Sequence, residues 1–264
     1  MEAGKEKCPG AKPRGGIGFP YIRQVFDKEG SCISYFICCP QQGQAAVVDP
    51  CRDWGRYFGL ARSEMVEITR VIDTHIHSDH ISGGRNLAKA TGAQLCMAEG
   101  ADVKFDFTPL KEGESIDVGN SSLQVLRTPG HTLESISLIY RDRSRSSDPW
   151  GLLTGDTLFV GDVGRQDLDG AGTYEQMYES LFKKLLSFDD YVEVYPAHYA
   201  GSDCGSGAMM SFKSVSTIGF ERRVNPILQS ASLEEFITKV KSSSPSIPPW
   251  FRQMKRANRG DSPA

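Results

Sequence analysis

The chain has 264 residues, of which 39% are hydrophobic and 24% charged, the size and balance of one large α/β domain rather than a disordered or membrane-spanning chain. Its net charge of −3, with Lys and Arg spread along the chain until a modest basic tail, recruits neither nucleic acid nor a membrane surface. The seven cysteines, Cys8, Cys32, Cys38, Cys39, Cys51, Cys96 and Cys204, are odd in number and lack C-x-x-C spacing. That excludes a disulfide framework or zinc ribbon and fits buried reduced thiols in a cytoplasmic protein.

Residues 1–18 are polar, carry acidic side chains and have no apolar core, so they read as a flexible arm and not as a secretory signal or transit peptide. The catalytic domain is expected over 19–245. It opens with YIRQVF, a DKEG turn, SCISYFICC, a QQGQ turn and AAVVDP, an antiparallel meander rich in β-branched and aromatic residues. DWGRYFGLARSEM has helical spacing, and EITRVID is a short buried strand. A helix then runs from about Ser82 to a stop at Gly92, followed by the strand AQLCMA. SLQVLRT and SISLIYR flank Pro129-Gly130-His131-Thr132, and GLLTGD leads into Asp156. TYEQMYESLFKKLLS is the clearest amphipathic helix, and YVEVYPAHY is a last strand ending in His198. The Ser- and Pro-rich stretch from Lys241 to Pro249 is expected to leave the domain, with 246–264 a mobile tail.

His75, His77, Asp79 and His80 share the run DTHIHSDH, and the two remaining histidines, His131 and His198, each follow a small residue at the end of an apolar stretch. No imidazole is left over. Neutral imidazole is the commonest side-chain metal ligand and binds best when several rings converge, and packing does not account for two His one residue apart followed at once by Asp-His. Strand ends would deliver His75, Asp156 and His198, and a loop between strands His131. Asp49 and Asp73, also at strand ends, read as acceptors for ligand N–H groups.

The pattern His75-x-His77-x-Asp79-His80, Gly130-His131, Gly155-Asp156 and a late His198 resembles the metallo-β-lactamase superfamily, in this order from about Phe19 to Pro249. The resemblance implies a four-layer α/β/β/α sandwich with metal at one sheet edge. Fold does not supply function here. One branch, the glyoxalase II thioester hydrolases, implies two Zn(II): His75, His77 and His131 on one, Asp79, His80 and His198 on the other, Asp156 bridging. The other, the persulfide dioxygenases of the ethylmalonic-encephalopathy type, implies one Fe(II) per chain on His75, His131 and Asp156, with His77, Asp79, His80 and His198 orienting ligands and moving protons.

The flanks favour the second branch. Gly164-Arg165-x-Asp167 is similar to the G-R-x-D of persulfide dioxygenases, as is Tyr195-Pro196-Ala197-His198. The loop Tyr199 to Gly205 and STIGFERR look like the branch fused to a rhodanese sulfurtransferase. The expected reaction is oxidation of a low-molecular-weight thiol persulfide, such as glutathione persulfide, by O2 to sulfite and thiol. Its expected partners are that persulfide, O2 and a separate rhodanese-type sulfurtransferase, with a homo-oligomer left open. Arg165 reads as an ion pair with Asp167 or as a planar fork for a substrate anion. Cys204 reads as a gap filler or, in an accessible Gly-flanked loop, as a sulfane-sulfur relay. Tyr199 is a substrate-contact candidate.

Overall fold

The computed structural model describes residues 18–28, 31–207 and 209–261. Nearly all of the expected N-terminal arm, Cys8, the second half of the DKEG turn and the last three residues lie outside them. Alternation of apolar residues builds two sheets. The first runs in sequence order through β1 (Tyr21–Asp27), β2 (Cys32–Cys39), β3 (Gln44–Val48), β4 (Glu67–Ile72), β5 (Gln94–Ala98) and β6 (Thr108–Leu110). Its first pairings are antiparallel, as the meander predicts, and β3 to β6 are parallel.

The second sheet begins with β7 (Ser115–Val118), β8 (Ser121–Arg127), β9 (Ile136–Asp142) and β10 (Gly151–Gly155). A small ribbon of β11 (Leu158–Phe159) and β12 (Asp162–Val163) follows, and then β13 (Glu193–Pro196) and β14 (Ser216–Thr217) complete the sheet in the order β14-β13-β10-β9-β8-β7. Here β13 is parallel to β10 and the other neighbours are antiparallel.

Period-two alternation sorts each strand between two cores. In β2, Ile33, Tyr35 and Ile37 point between the sheets, where they meet Val118, Leu123, Val125, Leu138 and Leu153 of the second sheet. Phe36 and Cys38 point the other way, onto α1 (Gly55–Glu64) and α2 (Gly84–Thr91) through Tyr57, Ala61, Leu87 and Ala88. The outer face of the second sheet packs Ile139, Leu152 and Val194 against the helices of the C-terminal half: α3 (Tyr174–Tyr178), α4 (Ile218–Val224) and α5 (Leu233–Ser243). The result is the expected four-layer α/β/β/α sandwich. Cys38 and Cys39 are core residues as expected, and no disulfide forms among the described cysteines. Among the described residues no helix is long and apolar enough to cross a membrane.

Two expectations are corrected. The helix expected over 174–187 is not uniform: after α3, Glu179–Lys184 is a π turn and Leu185–Ser187 a 3-10 turn. Met177, Leu181 and Leu185 stay buried, while Ser180 Oγ donates to Pro129 O at 2.7 Å, bracing the loop that carries His131. The C-terminal stretch does not leave the domain either. Residues Phe251–Arg259 form α6, with Phe251, Lys255, Ala257 and Asn258 buried. Its sequence is too polar to announce a buried face, and its contacts are made mainly with loops around the histidines.

Candidate metal centre

The ligands sit where strands run out. β4 ends at Ile72, and the segment to α2 carries Asp73 through His80. β10 delivers Asp156, β13 delivers His198, and the β8–β9 loop presents His131. Gly130 holds φ at 154°, and a Cβ there would come within 2.6 Å of Met177, so the turn before His131 requires glycine. All four strand-end or loop placements agree with the sequence reading. His75, His77, His131, Asp156 and His198 are each at most 2% exposed.

Each imidazole is held by one nitrogen, which fixes what the other can do. His131 Nδ1 meets Arg165 O at 2.9 Å; a carbonyl only accepts, so Nδ1 carries the proton and Nε2 is bare. His198 Nδ1 donates to Ser31 O at 3.3 Å in the same way. Asp49, at the end of β3 with a left-handed φ of 49°, accepts from Thr74 N at 2.7 Å, Thr74 Oγ1 at 2.9 Å and His77 Nε2 at 3.2 Å. Thr74 Oγ1, having donated to Asp49, accepts from His75 Nδ1 at 3.0 Å. His80 Nδ1 lies 2.8 Å from Asp79 Oδ2.

The atoms left without a hydrogen-bond partner are the complementary set: His75 Nε2, His77 Nδ1, His80 Nε2, His131 Nε2, His198 Nε2, Asp79 Oδ1 and both Asp156 oxygens. Buried bare nitrogens and carboxylate oxygens facing one another are costly unless a cation satisfies them. The residues therefore fit a metal. Burial, then neighbouring His77, holds His75 well below the usual imidazole range, and burial likewise lowers His131. Both are neutral rings, the ligating form. Burial would raise Asp156, but the neighbouring imidazoles, His198 first, outweigh it and bring its carboxyl well below the usual carboxylate range.

The donors fall into subsets. One donor atom each of His75, His131 and Asp156 lie within 4.8 Å of one another; Asp156 Oδ2 stands 3.4 Å from His131 Nε2 and 3.7 Å from His75 Nε2. Asp49, Asp73 and His77 form a separate buried group. Asp49 acts as the acceptor that was expected. Asp73 instead takes Ser82 Oγ at 2.9 Å, and burial pushes its carboxyl up to about 6.

At the rim, Arg165 takes its ion-pair reading and not the substrate fork: it is fully buried, and its guanidinium grips both oxygens of Asp167, at 2.6 and 2.8 Å, and the carbonyls of Asp203 and Pro245. Cys204 is not accessible but fully buried, near Asp79 and His198. Tyr199 lays its ring on Phe26 and the edge of the inter-sheet core.

Two supports escaped sequence reading. Glu134 Oε1 accepts from Ile76 N at 2.9 Å. Asn258, on α6, donates from Nδ2 to His77 O at 2.9 Å and His80 O at 2.7 Å, while its Oδ1 accepts from Ser82 N at 3.0 Å. One amide thus staples both ends of the ligand loop to a helix about 180 residues away. Only its place in a basic, Gly-terminated run could have signalled a helix there. Asn258→Ala is expected to weaken metal retention about 10- to 100-fold and stability by about 1–3 kcal/mol, read by chelator competition and urea denaturation. Unchanged metal retention would reduce Asn258 to a packing residue.

Comparison with known proteins bears on this geometry. A family model described as the Metallo-beta-lactamase superfamily matches residues 27–198. The chain is 28% identical over 228 residues to "Persulfide dioxygenase ETHE1, mitochondrial" of Bos taurus, covering 84% of this chain and 81% of the relative. It is 34% identical over 168 residues to a hydroxyacylglutathione hydrolase of Polaromonas sp., covering 62% of this chain and 61% of the relative. A crystal structure of ETHE1 from Myxococcus xanthus superposes with a TM-score of 0.79 at 31% identity, covering 91% of this chain and 99% of that one.

Proposed function

This chain belongs to the metallo-beta-lactamase superfamily, and from that premise we propose that it is a mononuclear Fe(II) persulfide dioxygenase. The observation that carries this reading is the convergence of His75, His131 and Asp156 into one buried two-histidine, one-carboxylate group. Likeness to the Myxococcus ETHE1 structure over nearly its whole length supports it. The reaction joins a thiol persulfide, O2 and water and returns thiol, sulfite and two protons. His75, His131 and Asp156 would hold Fe(II), which would supply the O2 chemistry that side chains lack.

The remaining work belongs to side chains. Arg165 O and Thr74 Oγ1 fix the tautomers of His131 and His75, so that Nε2 of each points at the ion position. Asp156, ionised and dry, completes the face. His198 Nε2 stands 3.4 Å from Asp156 Oδ1 and 3.5 Å from Asp79 Oδ2, a place from which it orients both carboxylates. Burial of His75, His131, Asp156 and His198 keeps bulk water from intercepting a reactive sulfur species.

A second reading has its own observation. His77 Nδ1, His80 Nε2 and Asp79 Oδ1 also lack partners, which suits a dinuclear Zn(II) thioester hydrolase like the hydroxyacylglutathione hydrolases. His77→Ala separates the two. Under the proposed reading it keeps about one iron per chain, measured on anaerobically purified protein, and loses about 10- to 100-fold in O2 uptake with glutathione persulfide. A wild type that carries two zincs, ignores O2 and turns over S-lactoylglutathione would reverse the assignment.

A further inference from the structure

At the opposite end of β10 from Asp156, β1 of the first sheet meets β9, β10 and β13 of the second around a cavity of about 260 Å³. Tyr21, Tyr140, Trp150 and Tyr195 line it, together with Asp142 and Arg145. Its walls are fixed. Trp150 N donates to Tyr140 O at 2.9 Å, and Trp150 O accepts from Glu193 N at 3.1 Å. Tyr195 donates from its hydroxyl to Glu193 Oε2 and makes an edge-to-face contact with Tyr35, ring centres 5.8 Å apart. A Cβ on Gly151 would come within 2.6 Å of Tyr195 Cε2, so the glycine there makes room for that ring.

Two of the lining residues call for an occupant. Tyr140 is 3% exposed, yet its hydroxyl has no hydrogen-bond partner among the described residues, and a buried hydroxyl is costly to leave unpaired. Burial, then Asp142, pushes its phenol up, so it stays protonated and has a hydrogen to donate. Trp150, in turn, is 43% exposed at the cavity and holds the Arg145 guanidinium 5.7 Å from its ring centre. Arg145 is itself paired with Asp142, Nε to Oδ2 at 3.2 Å. The two charged lining residues thus neutralise each other, which disfavours a charged ligand. A space below the roughly 300 Å³ at which drug-sized pockets begin admits a single ring. We propose that this cavity binds an uncharged planar ring bearing a carbonyl or ring-nitrogen acceptor. The ring lies against Trp150 and Tyr195, and the acceptor receives the hydrogen bond from Tyr140. The site does not depend on which metal the histidines hold.

The test is a benzamide titration of the metal-loaded protein, followed through the Trp150 indole N–H resonance, which is identified among those of the three tryptophans by its loss in Trp150→Phe. The expected result is a saturable shift with a midpoint at or below about 1 mM. Cyclohexanecarboxamide, which keeps the acceptor without the flat ring, toluene, which keeps the ring without the acceptor, and charged benzoate each bind at least about tenfold more weakly. Tyr140→Phe weakens benzamide about 3- to 10-fold, the worth of one neutral hydrogen bond. Its urea midpoint equals or exceeds that of the wild type, because no native bond is lost. A Trp150 signal that does not saturate overturns the site, as does a shift confined to Trp54 or Trp250. So does equal binding of any of the three control compounds, or unchanged benzamide affinity in Tyr140→Phe. A lowered urea midpoint in that variant would show that the hydroxyl already has a partner, and overturns it too.

Discussion

On the dioxygenase reading proposed above, replacement of His131 by alanine is expected to bring iron from about one per chain to near zero and to cut O2 uptake with glutathione persulfide by about a thousandfold or more, a barrier change of at least about 4 kcal/mol. His131 is fully buried, its Nδ1 is locked to Arg165 O at 2.9 Å, and its Nε2 faces Asp156 Oδ2 at 3.4 Å. Without His131 the face is reduced to one imidazole and one carboxylate. The measurements are metal content on anaerobically prepared protein and oxygen consumption, with circular dichroism as the check on folding. A folded His131→Ala protein that still carries one iron and consumes O2 would show that the ion sits elsewhere in the cluster. The same change would also cripple a dinuclear hydrolase, so His131 locates the centre and His77 decides the reaction.

Arg165→Ala is expected to act on stability, not on substrate affinity. The side chain is fully buried, bidentate to Asp167 and bonded to the carbonyls of Asp203 and Pro245. Breaking a buried pair from one side strands the other partners, at a cost of about 3–5 kcal/mol. The lower end applies because Asp167 remains 34% exposed. Arg165→Lys recovers little, since an ammonium cannot reproduce the planar fork. Urea denaturation should show the midpoint falling with unchanged slope, and activity loss should follow the unfolded fraction. A variant of native stability with a raised KM for persulfide would instead restore the substrate-contact role that the motif suggested. The backbone carbonyl that orients His131 survives both substitutions, so iron is expected to remain on the folded fraction.

These cases show where sequence reading stops. The cluster DTHIHSDH, the strand that ends in Asp156 and the late His198 were legible because metal ligation demands particular side chains, and strand periodicity showed where each stretch ends. The pairing of Arg165 with Asp167 and a gap-filling Cys204 were each one of two sequence readings, and only their full burial decided between them: a Gly-flanked loop with a charged side chain reads as surface, yet here the loops fold over each other and Arg165 becomes the post that ties them. The C-terminal helix was missed because its buried residues, Phe251, Lys255, Ala257 and Asn258, follow no simple apolar stripe. Two of the four are polar and are buried only by the partners they find. The break from α to π geometry after Tyr178 has no counterpart in the apolar spacing of that segment.

By itself the sequence determined which side chains are available for metal chemistry, the alternation that makes two sheets, and the order in which strand ends present their ligands. These are properties of residue type and of period, both local. Only the tertiary structure decided which nitrogen of each histidine is bare, that donor atoms of His75, His131 and Asp156 come within 4.8 Å of one another, that a thiol lies beside Asp79 and His198, and that a distant amide staples the ligand loop. Each of these depends on hydrogen-bond partners far away along the chain, at Asp49, Arg165, Ser31 or Asn258, and no spacing rule links such positions until the layers pack.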